Sequence, residues 1–402
     1  MKIENRFLKY VSFDTQSDPY SDSTPSTLKQ LDLGKYLVEE LLTLGVSDAH
    51  LDEYGIVYGS IPANAKEKDA IGFIAHMDTS PDADGKDIKP QLISNYDGKA
   101  ILLNKDLQIY LDPKDFPALH DVIGHDLITT DGTTLLGADD KAGVAIIMQM
   151  VETILTNPNI LHGPIKIAFT PDEEVGRGAD NFDVKKFDAP YAYTVDGGTI
   201  HEIGYENFNA YEAKVIIHGR SVHPGSAKNE MINAILVAME FEQMLPVNKK
   251  PQFTEGYEGF NHLHTIQGGC DEANLTYILR DHDLSIIKEQ IQIYKNICEY
   301  LNTKYGYIVC EVDFKEQYLN MYEVLKDNMR SVDKAILAMK KVGLKAKPDP
   351  IRGGTDGARL TFMGLPCPNL GTGGYNYHGR FEYVSVTMMK QGVELLLEII
   401  KG

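Results

Sequence analysis

Three apolar runs in this sequence end in motifs that carry carboxylate or imidazole groups. The runs are AIGFIA before His76, IKIAFT before PDEE at residues 171–174, and YAYTV before Asp196. The first run is apolar enough to be buried on both faces, as strands of parallel sheets are. Strands that alternate with helices build α/β domains, and the sites of such domains lie at the carboxyl ends of the strands. The pattern therefore predicts an α/β domain with its chemistry at those strand ends.

The character of the chain changes from about Asn209. The strand-like runs YEAKVIIHG, NLTYILRD and YIVCEVDF and two helical patterns follow, without an acidic motif at each strand end. A chain of 402 residues is also too long for one typical core. We therefore expect an α/β domain in two parts, residues 1–208 and 319–402, with an α+β domain inserted at residues 209–318. Residues 80–131, rich in Pro, Gly, Asn and Asp, are interpreted as a surface excursion.

The net charge of −19 argues against nucleic acid and anionic membrane surfaces as partners, because both require a basic footprint. No apolar run approaches the length of a membrane span, and the N-terminal MKIENRFLKYVSF lacks the uninterrupted apolar segment of a signal peptide. The four cysteines are widely spread and form no CxxC pair, which argues against a disulfide framework or thiolate metal site. We expect a cytoplasmic protein in which oxygen and imidazole would hold any metal.

The stretch DGTTLLGADDKAGV, residues 131–144, places two carboxylates side by side where a helix is predicted to start. Adjacent, partly buried carboxylates repel each other and lose solvation unless a cation or a proton offsets their charge. This favours a positive group at Asp139. The alternative is an acidic helix start, since Asp near a helix N-terminus caps free N–H groups and complements the macrodipole.

Two further motifs pair candidate groups at strand ends. His76 and Asp78 lie two apart on a strand and so share a face, which lets Asp78 fix the tautomer of the imidazole. Of the neighbours Glu173 and Glu174, one can be a metal ligand and the other a general base if the backbone turns between them. The alternatives are a histidine satisfied by ordinary hydrogen bonds and a solvated acidic loop.

Asp196 and His378 complete the candidates. Asp196 precedes two glycines, where its alternative role is to cap a turn, and His378 lies in the glycine-rich loop GGYNYHGR. Each candidate has a structural explanation when it is taken singly. Together they offer two imidazoles and three carboxylates, enough for two tetrahedral zinc sites if one carboxylate bridges. The predicted ligands are His76, Asp139, Glu174, Asp196 and His378.

This set predicts amide hydrolysis without a covalent intermediate. Two close metals polarise a carbonyl and lower the pKa of a water for attack. Glu173 would take the proton of that water and pass it to the leaving amine.

Seven segments of the sequence resemble, in order and over nearly the whole chain, the motifs of a known clan. The clan is that of the di-zinc exopeptidases that include carboxypeptidase G and the aminoacylases. The resemblance implies a mixed, mostly parallel sheet flanked by helices, an inserted α+β lid, and two zinc ions per chain. The segments are HMDTSPD, TDGTTLLGADDKAGVA, FTPDEEVGRGA, YTVDGG, GRSVHPGSAK, RGGTDGARL and GLPCPNLGTGGYNYHGRFEY.

The resemblance also implies which ligand belongs to which metal. Asp139 would be the bridge between the two zinc ions. His76 and Asp196 would complete one zinc site, and Glu174 and His378 would complete the other. With aspartate rather than glutamate at position 196, the chain resembles the aminopeptidase and dipeptidase branches of the clan more than the carboxypeptidase and acylase branches.

Two residues beside the ligands take catalytic roles by the same resemblance: Asp78 would support the first zinc site, and Glu173 would be the proton acceptor. The lid segments GYEGFNHL and ANLTYILRDHD resemble the tripeptide aminopeptidases of the clan in particular.

Four residues are candidates for substrate binding. His223 in VHPG could donate to the oxyanion of a tetrahedral intermediate, or could be a turn histidine before a proline. Arg280 and Arg352 could bind the C-terminal carboxylate of a peptide, for which a planar guanidinium is suited. A salt bridge to the neighbouring Asp281 or Asp283 is the alternative for Arg280. Asn274 could contact the substrate backbone.

With the aminopeptidase activity and the tripeptide substrates that the resemblance implies, we expect a cytoplasmic two-zinc aminopeptidase that acts on tripeptides, with neither nucleic acid nor membrane as partner. A homodimer is compatible with the sequence. One alternative is an N-acyl amino-acid deacylase or a dipeptidase of the same clan. An alternative of another class is a metal-dependent peptide-binding protein without catalysis, but binding alone has no need for Glu173.

Overall fold

The structure is a computed structural model that describes residues 1–66 and 68–401. The chain divides into two compact units. Unit 1 comprises Met1–Tyr205, Glu323–Asp349 and Thr355–Gly402, and unit 2 comprises Glu206–Tyr322 and Pro350–Gly354.

The described residues form ten α-helices and eighteen β-strands. The helices are α1 (Ile3–Val11), α2 (Gln30–Leu44), α3 (Ala138–Thr156), α4 (Val184–Phe187), α5 (Ala234–Gln243), α6 (Leu284–Tyr305), α7 (Tyr322–Leu325), α8 (Arg330–Lys341), α9 (Asp356–Phe362) and α10 (Val386–Lys401). The strands are β1 (His50–Leu51), β2 (Val57–Ile61), β3 (Ile71–His76), β4 (Gln91–Ile93), β5 (Ile101–Asn104), β6 (Ile109–Leu111), β7 (Leu127–Thr129), β8 (Ile165–Thr170), β9 (Ala192–Val195), β10 (Glu202–Asn207), β11 (Asn209–His218), β12 (Phe260–Gly268), β13 (Glu272–Asp281), β14 (Cys310–Tyr318), β15 (Lys347–Ile351), β16 (Asn369–Leu370), β17 (Gly374–Tyr375) and β18 (Tyr383–Ser385).

The main sheet of unit 1 has eight strands in the order β1-β2-β8-β3-β9-β16-β10-β15. Its centre is parallel, because β3 pairs in parallel with β8 and β9, and β9 pairs in parallel with β16. Toward the edges, β1, β2 and β10 pair antiparallel with their neighbours. The predicted α/β class with a mixed sheet is confirmed, and the parallel pairing lies in the middle of the sheet.

Helices cover both faces of this sheet. Phe73 of β3 faces a core that includes residues of α1, α2, α3, α8 and α10. The next residue, Ile74, faces a second core with Phe187 of α4 and Leu360 of α9. All six residues of β3 are buried, as a parallel strand covered on both faces must be. Helices thus cover both faces of the sheet, and the carboxyl ends of its central parallel strands meet at one edge.

Helix α3 packs very closely against the backbone at the end of β9. A Cβ atom at Gly143 would lie 1.8 Å from the carbonyl oxygen of Val195 and 2.5 Å from Oδ1 of Asp140. Only glycine fits this approach, because a backbone carbonyl has little room to move. The close packing sets the start of α3 against the strand that precedes Asp196.

The interpretation of residues 80–131 as a surface excursion is wrong in part. Strand β7 in this segment is buried at all three residues and pairs antiparallel with β18 and β4. Leu127 and Ile128 belong to the main core of unit 1. A short buried strand among Gly, Pro and Asp residues is hard to recognise from composition, because its pairing partner β18 lies more than two hundred residues later in the chain.

Unit 2 has a four-stranded antiparallel sheet in the order β12-β13-β11-β14. Val215 and Ile217 of β11 share a core with Phe241 of α5 and Tyr294 of α6. The domain boundaries at residues 208 and 318, and the role of a lid, stay predictions.

The helices in the described part of the chain include none with the length and apolar character of a membrane span.

Gly143→Ala tests the close approach of α3 to β9. We expect the variant to lose several kcal/mol of stability, because overpacking against backbone displaces a buried element. Thermal unfolding with and without the substitution measures this loss. Gly34→Ala in α2 is the matched control, since the nearest atom to its Cβ would be the flexible end of Leu51, at 3.0 Å, and side chains of Val57 and Met77 would lie at ordinary contact distances. Equal unfolding temperatures for the two variants would contradict the argument.

Glu202→Gln tests the effect of a partly buried acid at the start of β10 on stability. The pKa of Glu202 is raised to about 7, mainly by burial and to a smaller extent by the nearby charge of Asp349. The folded state therefore binds the proton more tightly than the unfolded state, whose pKa is about 4.3. The contribution of Glu202 to the free energy of unfolding is therefore present at low pH and is lost as the pH rises from about 4 to 7.

At pH 8 we expect metal-free Glu202→Gln to be more stable than the wild type by about 1–2 kcal/mol, allowing for partial exposure. At pH 4.5 the advantage should shrink toward zero. Thermal unfolding at both pH values gives the comparison. A glutamine variant that is no more stable at pH 8 than the wild type would disprove the assignment.

Candidate active site

The candidate residues of unit 1 gather where the central parallel strands end. His76 is the last residue of β3, Asp196 follows β9, and a 3-10 turn at Glu173–Val175 follows β8. Asp139 lies at the start of α3. The carboxyl ends of parallel strands meet at one edge of a sheet, which is why residues distant in sequence become neighbours here.

One group of possible metal ligands consists of His76, Asp139 and Asp196. Nε2 of His76 lies 2.9 Å from Oδ1 of Asp139 and 3.7 Å from Oδ1 of Asp196. The imidazole of His76 is almost fully buried, with a side-chain exposure of 2%. One nitrogen of a buried imidazole thus faces two carboxylates.

A second group consists of Asp139, Glu174 and His378. Nε2 of His378 lies 2.9 Å from Oε2 of Glu174 and 3.4 Å from Oδ2 of Asp139. Asp139 belongs to both groups and faces a different histidine with each carboxylate oxygen. The structure brings all five predicted ligands together, and their role as ligands stays a prediction.

Asp78 contacts both His76 and the acidic loop. Its Oδ1 lies 3.3 Å from Nδ1 of His76. The same carboxylate accepts the backbone N–H groups of Glu173, at 3.0 Å, and of Glu174, at 3.2 Å. One buried carboxylate therefore orients the first histidine and fixes the turn that carries both glutamates.

Asp82 has a matching position beside the second histidine, and sequence reasoning missed it. Its Oδ2 lies 3.1 Å from Nδ1 of His378, on the side of the ring opposite Glu174. A carboxylate on the outer nitrogen of a ligating histidine fixes its tautomer and orientation. The only sequence signal is a second aspartate in HMDTSPD, which follows Asp78 by four residues.

The two adjacent aspartates at the start of α3 have different partners. Asp140 accepts the backbone N–H groups of Gly143, at 3.1 Å, and of His76, at 3.2 Å. Asp140 thus forms the helix-start contacts that were the alternative explanation of the motif, whereas Asp139 faces the two histidines. The peptide bond between them is cis.

The carboxylates of the site are too crowded to ionise together without a positive partner. The pKa of Glu174 is raised to about 7, mainly by burial and to a smaller extent by the charge of Asp139. Burial also raises the pKa values of Glu173 and Asp196 well above the ordinary range. Oε1 of Glu174 is buried and has no hydrogen-bond partner among the described residues. An unpartnered carboxylate oxygen within a set of imidazoles and carboxylates fits a bound cation.

The histidines carry the opposite shift. Hydrogen bonds to Asp139 and Glu174 raise the pKa of His378 to about 11. Burial lowers the pKa of His76, but the surrounding carboxylates outweigh it and the net pKa is raised well above the ordinary range. Burial likewise raises the pKa of Asp139, but hydrogen bonds with both histidines lower it overall. Contact with the shared carboxylate of Asp139 thus favours the protonated form of both imidazoles.

The four candidates for substrate binding all lie in unit 2. His223 is exposed, and its Nδ1 accepts the N–H of Gly225 at 3.1 Å. Asn274 on β13 donates to Oε1 of Glu272 at 2.9 Å. A role of either residue in substrate binding stays a prediction.

The two arginines have partners within unit 2. Arg280 donates to the carbonyl oxygen of Leu279 and to Oε1 of Gln317, both at 2.9 Å. These bonds replace the salt bridge to Asp281 or Asp283 that was the alternative for this residue. Arg352 donates to the carbonyl oxygens of Gly256 and Glu258, both at 2.8 Å. Both guanidinium groups also stack over aromatic rings. A role in binding a peptide carboxylate stays a prediction.

Curated relatives match the chain over its full length. Peptidase T of Alkaliphilus oremlandii is 54% identical over 399 residues, which cover 98% of both chains. Peptidase T of Desulfitobacterium hafniense strain DCB-2 is 55% identical over 400 residues, which cover 99% of this chain and 97% of the relative.

Solved structures share the fold. An aminopeptidase PepT from Bacillus cereus superposes with a TM-score of 0.79 at 24% identity, over 100% of this chain and 97% of that chain. A tripeptidase from Staphylococcus aureus gives a TM-score of 0.78 at 24% identity, with the same coverage. A Bacillus subtilis protein described as a dinuclear metal binding peptidase of the M20 family gives 0.65 at 13% identity, over 99% and 98% of the two chains.

A model of one peptidase family matches residues 130–402. This segment contains four of the five predicted ligands and the acidic turn with Glu173. Together with the full-length relatives, the match shows that this chain belongs to peptidase family M20/M25/M40.

Proposed function

We propose that this enzyme is an aminopeptidase that releases the N-terminal residue of tripeptides with the help of two zinc ions. The observation that carries the proposal is the pair of ligand groups that share Asp139, next to the partly buried Glu173. Relatives named peptidase T, and a similarly folded protein described as a tripeptidase, support the substrate class. The description of another neighbour as dinuclear supports the number of metals.

The proposed holders of one metal are His76, Asp139 and Asp196. The proposed holders of the other are Asp139, Glu174 and His378. When bound, such a pair of cations supplies Lewis acidity toward a carbonyl oxygen and lowers the pKa of water. Zinc suits a set of imidazole and carboxylate ligands.

Glu173 is the proposed general base. Burial raises the pKa of its carboxyl group, which makes the ionised form a stronger proton acceptor. It takes a proton from the attacking water and returns it to the leaving amine, so one side chain serves both halves of the reaction. Asp78 holds the backbone N–H of Glu173 and thereby sets the direction of this base.

Residues of unit 2 are the proposed contacts to the rest of the peptide. His223 is proposed as a donor to the developing oxyanion. Arg280 and Arg352 are proposed to bind the C-terminal carboxylate, and Asn274 to bind the backbone. Each guanidinium already donates to oxygens of unit 2, so a carboxylate would bind through the remaining N–H groups or by an exchange of partners. We further propose a cytoplasmic location, as the cysteine content favours.

Glu173→Gln tests the general base. The amide keeps the shape of the side chain but cannot accept the proton, so we expect turnover to fall about 10²–10⁴-fold. Zinc content, measured by elemental analysis, should stay at two equivalents per chain. The matched control is Glu174→Gln, which should lower zinc content as well as turnover. Loss of zinc from Glu173→Gln would instead make Glu173 a ligand.

Product analysis with three related peptides tests the substrate class. Purified, zinc-loaded enzyme should release only the N-terminal residue from a free tripeptide. It should release little from the matching dipeptide and nothing from the N-acetylated tripeptide, because the free α-amino group is part of what is recognised. Cleavage of the blocked peptide would favour a deacylase, and no cleavage of any peptide would favour a peptide-binding protein.

A further inference from the structure

Glu382 is a buried acid that the reaction as described does not use. It lies four residues after His378 in the same loop, and only 1% of its surface is exposed. Its own N–H donates to the carbonyl oxygen of Gly379 at 3.1 Å, which closes the loop between the two residues. A buried carboxylate needs hydrogen-bond donors or a positive partner to remain there.

Both carboxylate oxygens of Glu382 bind the backbone that leads into α3. Oε2 accepts the N–H groups of Leu136, at 2.6 Å, and of Gly137, at 2.8 Å. Oε1 accepts the N–H of Asp139 at 3.0 Å. The three donors precede the regular part of α3, because Asp139 and Asp140 still have non-helical backbone angles. The macrodipole of the helix that follows also favours a negative charge here.

We propose that Glu382 is a positioning residue that sets the direction of the shared ligand Asp139. The inference rests on the proposed function, since it takes Asp139 as a ligand to both metals. The backbone N–H of Asp139 and its carboxylate belong to the same residue, so fixing the N–H limits where the two carboxylate oxygens can point. Because His378 lies in the loop of Glu382, the same contact also sets the spacing between Asp139 and His378.

The geometry requires a carboxylate in particular. Three N–H groups approach two oxygens, and each oxygen must accept. Glutamine could still accept two N–H groups with its carbonyl oxygen, but its NH₂ group would face the N–H of Asp139, donor against donor. A shorter aspartate keeps the charge but lacks the reach of the longer side chain. Glu382→Gln therefore perturbs the contact to Asp139 selectively.

Cobalt(II) titration of the metal-free, full-length chain tests the proposal, with the visible absorption spectrum as a second readout. For Glu382→Gln we expect both equivalents to bind about 10–100-fold more weakly, the range seen for residues that support metal ligands. The spectrum should change as well, because the shared ligand is misdirected. Both equivalents should suffer, since Asp139 belongs to both ligand groups.

Glu40→Gln is the matched control for general destabilisation. Glu40 is also a partly buried glutamate of unit 1 whose two oxygens accept from several donors, on Arg6 and Tyr10, but it contacts none of the candidate ligands. This variant should bind cobalt as the wild type does, whatever its unfolding temperature. Equal weakening in both variants, or a wild-type affinity and spectrum for Glu382→Gln, would overturn the proposal.

Two further variants make the result decisive. If Glu382→Gln does not fold, Glu382→Asp takes its place and should bind cobalt more weakly than the wild type; an unchanged affinity would overturn the proposal. Asp139→Asn separates this inference from the proposed function. If Asp139→Asn binds cobalt normally, the ligand assignment itself is wrong. If it loses cobalt while Glu382→Gln does not, only the positioning role fails.

Discussion

The crowding of partly buried carboxylates at the ends of the parallel strands is the constraint on which the site depends. Asp139, Glu174 and Asp196 face two imidazoles within a few ångströms, and the partly buried Glu173 lies beside them. Like charges at this spacing in a poorly solvated environment cannot all ionise without a positive partner. The raised pKa values of Glu174 and Asp196 and the raised pKa of His378 are two sides of this balance.

Backbone N–H groups offset the negative charge of a second layer of acids. Asp78 accepts two N–H groups from the turn that carries the glutamates. Asp140 accepts the N–H groups of His76 and Gly143. Glu382 accepts three from the start of α3. Each of these acids is satisfied by backbone donors and in return fixes a segment that bears a candidate ligand, so the outer acids hold the inner ones in place.

The parallel centre of the main sheet explains why such a site forms. Strands β8, β3 and β9 run in the same direction, so the segments that follow them emerge at one edge. Gly143 lets α3 approach the end of β9 closely enough for Asp139 to reach the same point.

The sequence by itself determined the α/β class and the chemical types at the site. Apolar runs that end at His76, at the PDEE motif and at Asp196 indicate buried strands with polar ends, and this pattern depends only on local composition. It favoured a positive group at Asp139 and kept an acidic helix start as the alternative, whereas the structure puts Asp139 beside the histidines and gives the helix-start contact to Asp140. It could not pair Asp82 with His378, which lie 296 residues apart, or Asp139 with Glu382, 243 residues apart. Only the tertiary structure decided these contacts, because they depend on strand order and loop direction rather than on any property of the neighbouring residues.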